Sequence, residues 1–233
     1  MTARRFYCPN LRLGRLALEP DEAQHIRRVL RLAPGDHIHL FDGQGSRATG
    51  VIADTTRDVL VDVQTVTQAP PPQPWIDLAT AVPKGSRADV LVEKAAELGA
   101  DRWIPLLTER SVVDPREGKL DRFDRLAVAA AKQCGRDRLM LIDPPTDLKS
   151  LLQRAGEWDR LWIADTGESV QILPTDLATS QRVIILIGPE GGWSDAERNA
   201  AISSGFSPIR LGPHVLRIET AAMAALAICR QQA

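Results

Sequence analysis

The sequence predicts two domains of different class: a small β-rich barrel with one helix, then a larger α/β domain on a parallel sheet. Three observations carry this. Gln68-Ala69-Pro70-Pro71-Pro72-Gln73-Pro74 packs four prolines into five positions. Proline fixes φ and removes a backbone donor, so the stretch is neither helix nor central strand and reads as a stiff linker. Before it, short apolar runs alternate with period two and end at turn residues. After it, strand patterns alternate with helical ones, as a parallel sheet requires.

In the first part, Leu16-Ala17-Leu18 is extended. Pro20-Asp21-Glu22 starts a helix with acids in its first turn, where they oppose the positive end of the helix dipole. That helix is expected over 21–29, ending near Pro34-Gly35. His37-Ile38-His39-Leu40-Phe41 alternates, Asp42-Gly43 is a turn signal, and 47–53 and 59–66 continue as strands. A compact β-barrel accommodates these elements. In the second part, strands are expected at 76–82, 103–107, 139–142, 160–164 and 183–187. Helices are expected at 87–98, 120–134, 194–204 and 218–230. Val183-Ile184-Ile185-Leu186-Ile187 is a continuous apolar, β-branched run, as suits a strand buried on both faces.

A length of 233 residues allows one large domain or two modest ones, and 44% hydrophobic residues suffice for a real core. The net charge of −1 announces no polyanion partner, so any nucleic-acid surface must be a local patch. Cys8, Cys134 and Cys229 are scattered and odd in number, which gives neither a disulfide framework nor a zinc spacing. His37 and His39 have no third ligand nearby, and no metal is expected. The N-terminus MTARRFYCPN lacks a hydrophobic signal core, and no stretch approaches the roughly 20 apolar residues of a membrane span. The expected location is the cytoplasm, with no membrane partner.

Two loops carry the candidate chemistry. In the first, the 183–187 run meets Ile187-Gly188-Pro189-Glu190-Gly191-Gly192, followed by Trp193 and a capping box of Ser194 and Glu197. Glycines let a backbone approach a ligand closely or take positive φ. Ligands of open α/β sheets bind at the carboxyl ends of strands, where this loop should lie. Taken alone, the loop is equally a ligand cradle and a tight turn that needs glycine for geometry. It is neither GxGxxG nor a P-loop. In the second, a short strand at Ile209-Arg210 meets Leu211-Gly212-Pro213-His214-Val215-Leu216-Arg217, then Ile218-Glu219-Thr220-Ala221 opens an alanine-rich helix. Arg217 and Glu219 could simply pair or cap that helix. Two Gly-Pro loops after strands could together line one pocket with backbone groups.

Basic clusters are the third feature. Arg4, Arg5, Arg12, Arg15, Arg27, Arg28 and Arg31 face only Glu19, Asp21 and Glu22 before residue 32. Arginine suits bidentate phosphate contacts and base stacking, so RNA is weighed against a solvated face. His25, Arg28 and Arg31 are spaced to share one side of a helix. Lys132-Gln133-Cys134-Gly135-Arg136-Asp137-Arg138 ends another helix. There cations are stabilising in themselves, or they form a cluster for a substrate phosphate.

Taken together, IGPEGG followed by LGPHVLRIETA resembles the paired signature of the RsmE-type members of the SPOUT (knotted) methyltransferases. His25-Ile26-Arg27-Arg28-Val29-Leu30-Arg31 and Phe41-Asp42-Gly43 resemble that family's N-terminal PUA-like RNA-binding domain. Lys84-Gly85, Lys94, Glu97-Leu98-Gly99 and Glu109-Arg110-Ser111 resemble the start of its catalytic domain. Gln133-Cys134-Gly135-Arg136 resembles its central motif, where many members have Asn at the position of Asp137.

The resemblance implies a PUA-like β-barrel over 1–69 and a SPOUT α/β domain with a deep trefoil knot over 75–233. It implies transfer of a methyl from S-adenosylmethionine to N3 of one uridine in 16S ribosomal RNA of the small ribosomal subunit, by a homodimer with its active sites at the subunit interface. The cofactor would lie on Ile187, Gly188, Pro189, Glu190, Gly191, Gly192, Leu211, Gly212, Val215, Leu216, Thr220 and Ala221. Arg217 and Glu219 would stand near the reacting base. RNA would meet Arg4, Arg5, Arg27, Arg28, Arg31, Arg136 and Arg138. A knotted methyltransferase acting on tRNA or a ribose hydroxyl, and a non-catalytic ribosome-assembly protein, stand as the alternatives.

Overall fold

The computed structural model describes residues 4–113, 117–167, 171–172, 177 and 182–231. Backbone contacts divide the chain into two units: Met1–Pro71 with Val128–Leu139, and Pro72–Ala127 with Met140–Ala233.

The first unit contains β1 (Arg5–Tyr7), β2 (Gly14–Ala17), α1 (Pro20–Gln24), β3 (His37–Phe41), β4 (Ser46–Asp54) and β5 (Leu60–Gln68). They form one sheet in the order β1-β3-β4-β5-β2, with β1 parallel to β3 and the other pairs antiparallel. The alternation in β3 works as expected: Ile38 and Leu40 are buried while His37 and His39 face out. A single apolar cluster takes Phe6, Leu16, Ile38, Leu40, Ile52 and Val61 from all five strands.

The helix expected over 21–29 differs in kind. α1 passes into a π-helical turn, His25–Leu30, which Arg31 closes in the left-handed region at φ 51°. The wider turn buries Ile26 completely and leaves Arg27 and Arg28 exposed. The 3.6-residue spacing that would have put His25, Arg28 and Arg31 on one side therefore does not apply. Such turns are rare and occur often at functional positions.

Residues 128–139 pack within this unit. Lys132 Nζ donates to both oxygens of Glu22 at 2.7 Å. Arg5 reaches the Arg136 carbonyl at 2.6 Å and Asp137 at 2.5 Å, with its guanidinium 4.3 Å from the centre of the Phe41 ring. The Gly45 N–H donates to the Asp137 carbonyl at 3.1 Å and the Leu139 N–H to the Gly43 carbonyl at 3.0 Å.

The second unit continues with β6 (Trp75–Ala81), α2 (Arg87–Glu97), β7 (Arg102–Leu107), α3 (Glu117–Cys134, whose last turns count with the first unit), β8 (Leu141–Ile142), β9 (Thr146–Asp147), α4 (Leu148–Leu152), β10 (Arg160–Ala164), β11 (Gln171–Ile172), β12 (Arg182–Ile187), α5 (Asp195–Ser203), β13 (Ser207–Arg210) and α6 (Ile218–Arg230). The sheet runs β11-β13-β10-β12-β6-β7-β8, with β9 also beside β7, and every pair is parallel. β12 is central and buried along its length after Arg182. From β6 the chain first builds outward to β7 and β8, then returns to the other side of β12. Such a reversal opens a crevice at the carboxyl ends of the strands.

The strand expected at 139–142 shortens to two residues, because the Leu139 N–H is bonded to Gly43. The alanine-rich face of α6 is used internally. Ala221, Ala222 and Ala225 are buried, and α6 packs on α2, β6 and β12. Among the described residues no helix is long and apolar enough to cross a membrane.

The amino ends of the strands close around Asp77, which is fully buried. It accepts from the Trp75 indole at 2.7 Å, the Trp158 indole at 2.5 Å and Arg182 at 2.8 Å. Removing this acceptor leaves the buried Trp158 indole, the half-buried Trp75 indole and the Arg182 guanidinium without it. Asp77→Ala is expected to cost about 3–5 kcal/mol, read as a lower urea midpoint at unchanged slope. A loss below about 1 kcal/mol, the worth of an exposed pair, would contradict the assignment.

Candidate functional site

The carboxyl ends of β10, β12 and β13 share one edge of the sheet, and a cavity of about 590 Å³ opens there. Three loops and two helices line it. Ala164–Gly167 follow β10, Ile187–Trp193 follow β12, and Leu211, Gly212, His214, Val215 and Leu216 follow β13. Ile218 and Ala221 come from α6, and Asp195 and Arg198 from α5.

The first glycine loop is shaped by its own side chains. A Cβ on Gly188 would stand 2.9 Å from the Trp193 ring, so the indole occupies the space that glycine leaves. The same indole donates to the Ala164 carbonyl at 2.9 Å, tying the exit of β12 to the end of β10. Gly192 has φ 70°, and its N–H closes a turn onto the Pro189 carbonyl at 2.8 Å. α5 then begins with the expected capping box: Ser194 Oγ accepts from the Glu197 N–H at 3.2 Å and Glu197 from the Ser194 N–H at 2.9 Å. Arg87 pairs with Glu190 at 3.0 Å.

The β10 loop was not read from the sequence as part of a site. Its signal was Asp165-Thr166-Gly167, a turn triplet at the carboxyl end of a strand. Asp165 accepts from the Thr166 N–H at 2.7 Å, the Gly167 N–H at 3.3 Å and the Arg198 guanidinium. Burial pushes its carboxyl up, but Arg198 and the two amides outweigh burial and hold it below its ordinary range.

The sequence matches the family model for an RNA methyltransferase domain over residues 70–230 and that for an RNA methyltransferase PUA domain over 18–63. A ribosomal RNA small subunit methyltransferase E from Synechocystis is 34% identical over 91% of this chain and 71% of its own length. A methyltransferase structure from Legionella pneumophila with S-adenosylmethionine bound is 31% identical at TM-score 0.89, covering 99% of this chain and 98% of that one. This chain belongs to the ribosomal RNA small subunit methyltransferase E family. A member from Neisseria gonorrhoeae, also solved with S-adenosylmethionine, is 27% identical at TM-score 0.89 and covers 98% and 97% of the two chains.

Most of the methyltransferase-family residues assigned to the cofactor converge. Ile187, Gly188, Pro189, Glu190, Gly191, Gly192, Leu211, Gly212, Val215, Leu216 and Ala221 all line the cavity. Thr220 does not: it is exposed on α6. Arg217 and Glu219 are not on the lining either. Arg217 is exposed at the start of α6, whereas Glu219 is buried with one carboxylate oxygen unpartnered.

The arginines assigned to RNA divide. Arg4 pairs with Asp36 at 2.9 Å, Arg27 donates to the Arg57 carbonyl at 2.7 Å, and Arg28 and Arg31 are exposed. Arg5 and Arg138 serve the first unit itself; Arg138 donates to the Ala69 carbonyl at 3.0 Å. Arg136 is half-buried. A second cavity, of about 700 Å³, lies in the first unit and is lined by Arg5, His39, Arg47, Thr49 and Lys132 among others. Among the described residues no three metal-ligating side chains gather.

Two outcomes follow for the cofactor loops. Gly188→Ala should displace Trp193 and cost about 1–3 kcal/mol of unfolding free energy, as overpacking does; unchanged stability would show that the indole is not seated there. Asp165 titrates below its ordinary 3.8 in the folded chain, so the stability it lends is present above that pH and is lost as pH falls through the folded value. An Asp165→Asn variant should therefore be less stable than the parent at neutral pH, and the gap should close in acid. A gap independent of pH, measured by thermal unfolding, would contradict this.

Proposed function

We propose that this chain methylates N3 of a specific uridine in 16S ribosomal RNA of the small subunit, using S-adenosylmethionine. The observation that carries the reading is the convergence of both glycine-proline loops on one cavity at the carboxyl edge of the sheet, in a family whose solved relatives hold that cofactor. The residues fit such a group. The volume lies within the roughly 300–1,000 Å³ of small-molecule sites. A Cβ on Gly212 would enter open space, so the loop leaves room beside its backbone. Asp165 and Glu190, two acids on the lining, are each paired with an arginine.

S-adenosylmethionine, when bound, supplies an already activated methyl group. The chain supplies the rest. The glycine loops hold and orient the cofactor through backbone groups, which fixes the direction of attack. The uracil N3–H must lose its proton, and Glu219 and Arg217 at the start of α6 are proposed to accept it and to stabilise the uracil anion. An unpartnered buried acceptor costs on the order of 1–3 kcal/mol or more, and the free Glu219 oxygen is one that a substrate N–H would satisfy.

RNA is proposed to meet Arg4, Arg27, Arg28, Arg31 and Arg136, and the cavity lined by Arg5, Arg47 and Lys132 belongs to the same unit. Arg5 and Arg138 are proposed to act by holding that unit's loops. Residues 1–69 form a PUA-like barrel and 75–233 a SPOUT domain with its deep trefoil knot. The enzyme works in the cytoplasm as a homodimer with active sites at the subunit interface. Family membership supports these assignments.

Labelled methyl transfer to small-subunit RNA, with the product mapped by mass spectrometry, tests the reading. N3-methyluridine is expected; a methylated tRNA or ribose hydroxyl would overturn it. Arg217→Ala should slow single-turnover methylation by about 100-fold, the scale of a lost proton-transfer or anion-stabilising group; full activity would remove Arg217 from the mechanism. Gly191→Val, which drives side-chain atoms towards Arg110, should abolish cofactor binding in calorimetry.

A further inference from the structure

Glu109-Arg110-Ser111, between β7 and α3, lines no part of the cofactor cavity, yet it grips the first glycine loop. Arg110 Nη1 donates to the Gly191 carbonyl at 2.8 Å and lies 3.4 Å from the Trp193 carbonyl. Its aliphatic carbons occupy the far side of Gly191, with Cδ 3.4 Å from where a Cβ would be. One residue earlier, the Glu109 N–H donates to Glu197 Oε1 at 2.8 Å, while the other Glu197 oxygen accepts from Ser194. The turn that presents these groups is itself closed: Ser111 Oγ accepts from the Thr108 N–H at 2.9 Å, and the Ser111 N–H donates to the Thr108 carbonyl at 3.0 Å. One closed turn thus holds the glycine loop at residues 191 and 193 and the start of α5 at residue 197.

Engaging two carbonyls with one guanidinium fixes the peptide planes between them. Those planes belong to the segment that lines the cavity on its other side. Both contacts come from the one nitrogen Nη1, whose N–H groups are fixed in the guanidinium plane, whereas a lysine ammonium turns freely at the end of a flexible stem. A glycine-rich loop left to itself would sample many conformations and would have to be ordered on binding.

We infer that Arg110 is a positioning residue for the cofactor, holding the first glycine loop in its receiving shape before the cofactor arrives. The inference rests on the cavity being the S-adenosylmethionine site. Arg110 is exposed, so truncating it opens no hole in the core.

The test compares the parent with Arg110→Ala and Arg110→Lys in calorimetry with S-adenosylmethionine, in steady-state methylation and in thermal unfolding without cofactor. R110A is expected to bind about tenfold more weakly, the scale of a lost preorganising contact. Its KM for S-adenosylmethionine should rise in step, its kcat at saturating cofactor should hold, and its melting midpoint should match the parent. R110K should recover only part of the affinity. Unchanged affinity in R110A, or a kcat that falls while KM for the cofactor stays fixed, overturns the inference. So does an affinity loss matched by a lowered melting midpoint and fully restored in R110K, since that marks a merely structural charge. Failure of the parent itself to bind S-adenosylmethionine instead overturns the reading of the cavity.

Discussion

The Trp193 indole lies against Gly188 at a distance no side chain at 188 could share, and it donates its N–H to the carbonyl that ends β10. Two neighbouring parallel strands are thereby locked together where they leave the sheet. From that junction the rest of the site follows. The Pro189–Gly192 turn can only fold back on one side, α5 starts at a fixed point through its capping box, and Asp165 falls opposite Arg198. The cavity is what remains between these loops and the start of α6. Its walls come largely from the three loops, so its shape depends on turn geometry.

The two edges of the sheet do opposite work. At the amino edge, Asp77 gathers two indoles and two arginines around one buried carboxylate, and Arg230 at the end of α6 caps the Gly99 and Pro74 carbonyls. A breach there leaves charges and donors unmet in the interior. At the carboxyl edge the loops stay open and glycine-rich, held by bonds among their own residues and α5 and by Arg110 from outside. A tight fixed edge beneath an open edge is how parallel α/β sheets carry binding sites without burying them.

Much of this was legible because the signals are local. The β-branched run at 183–187, the capping box at Ser194 and the glycines at 188–192 each express their structure within a few residues. What was not legible depends on partners far along the chain. Arg5 and Asp137 are separated by more than a hundred residues, and their pairing turns a candidate RNA contact into an internal strut. Residues 128–139 continue a helical pattern, and nothing in them announces that they pack with the first unit. The π-helical turn is set by tertiary burial of Ile26 rather than by propensity, so HIRRVLR looked like an ordinary amphipathic helix. The Asp165 loop was missed because a turn after a strand becomes a site only when two other loops arrive beside it.

Amide hydrogen exchange with and without S-adenosylmethionine tests the central claim most directly, because it reads the loops residue by residue and needs no RNA. Slower exchange is expected at 165–167, 187–193 and 211–216 together, with the strands of the first unit unchanged. Protection confined to the first unit, or absent from all three loops at saturating cofactor, would contradict the assignment of the cavity.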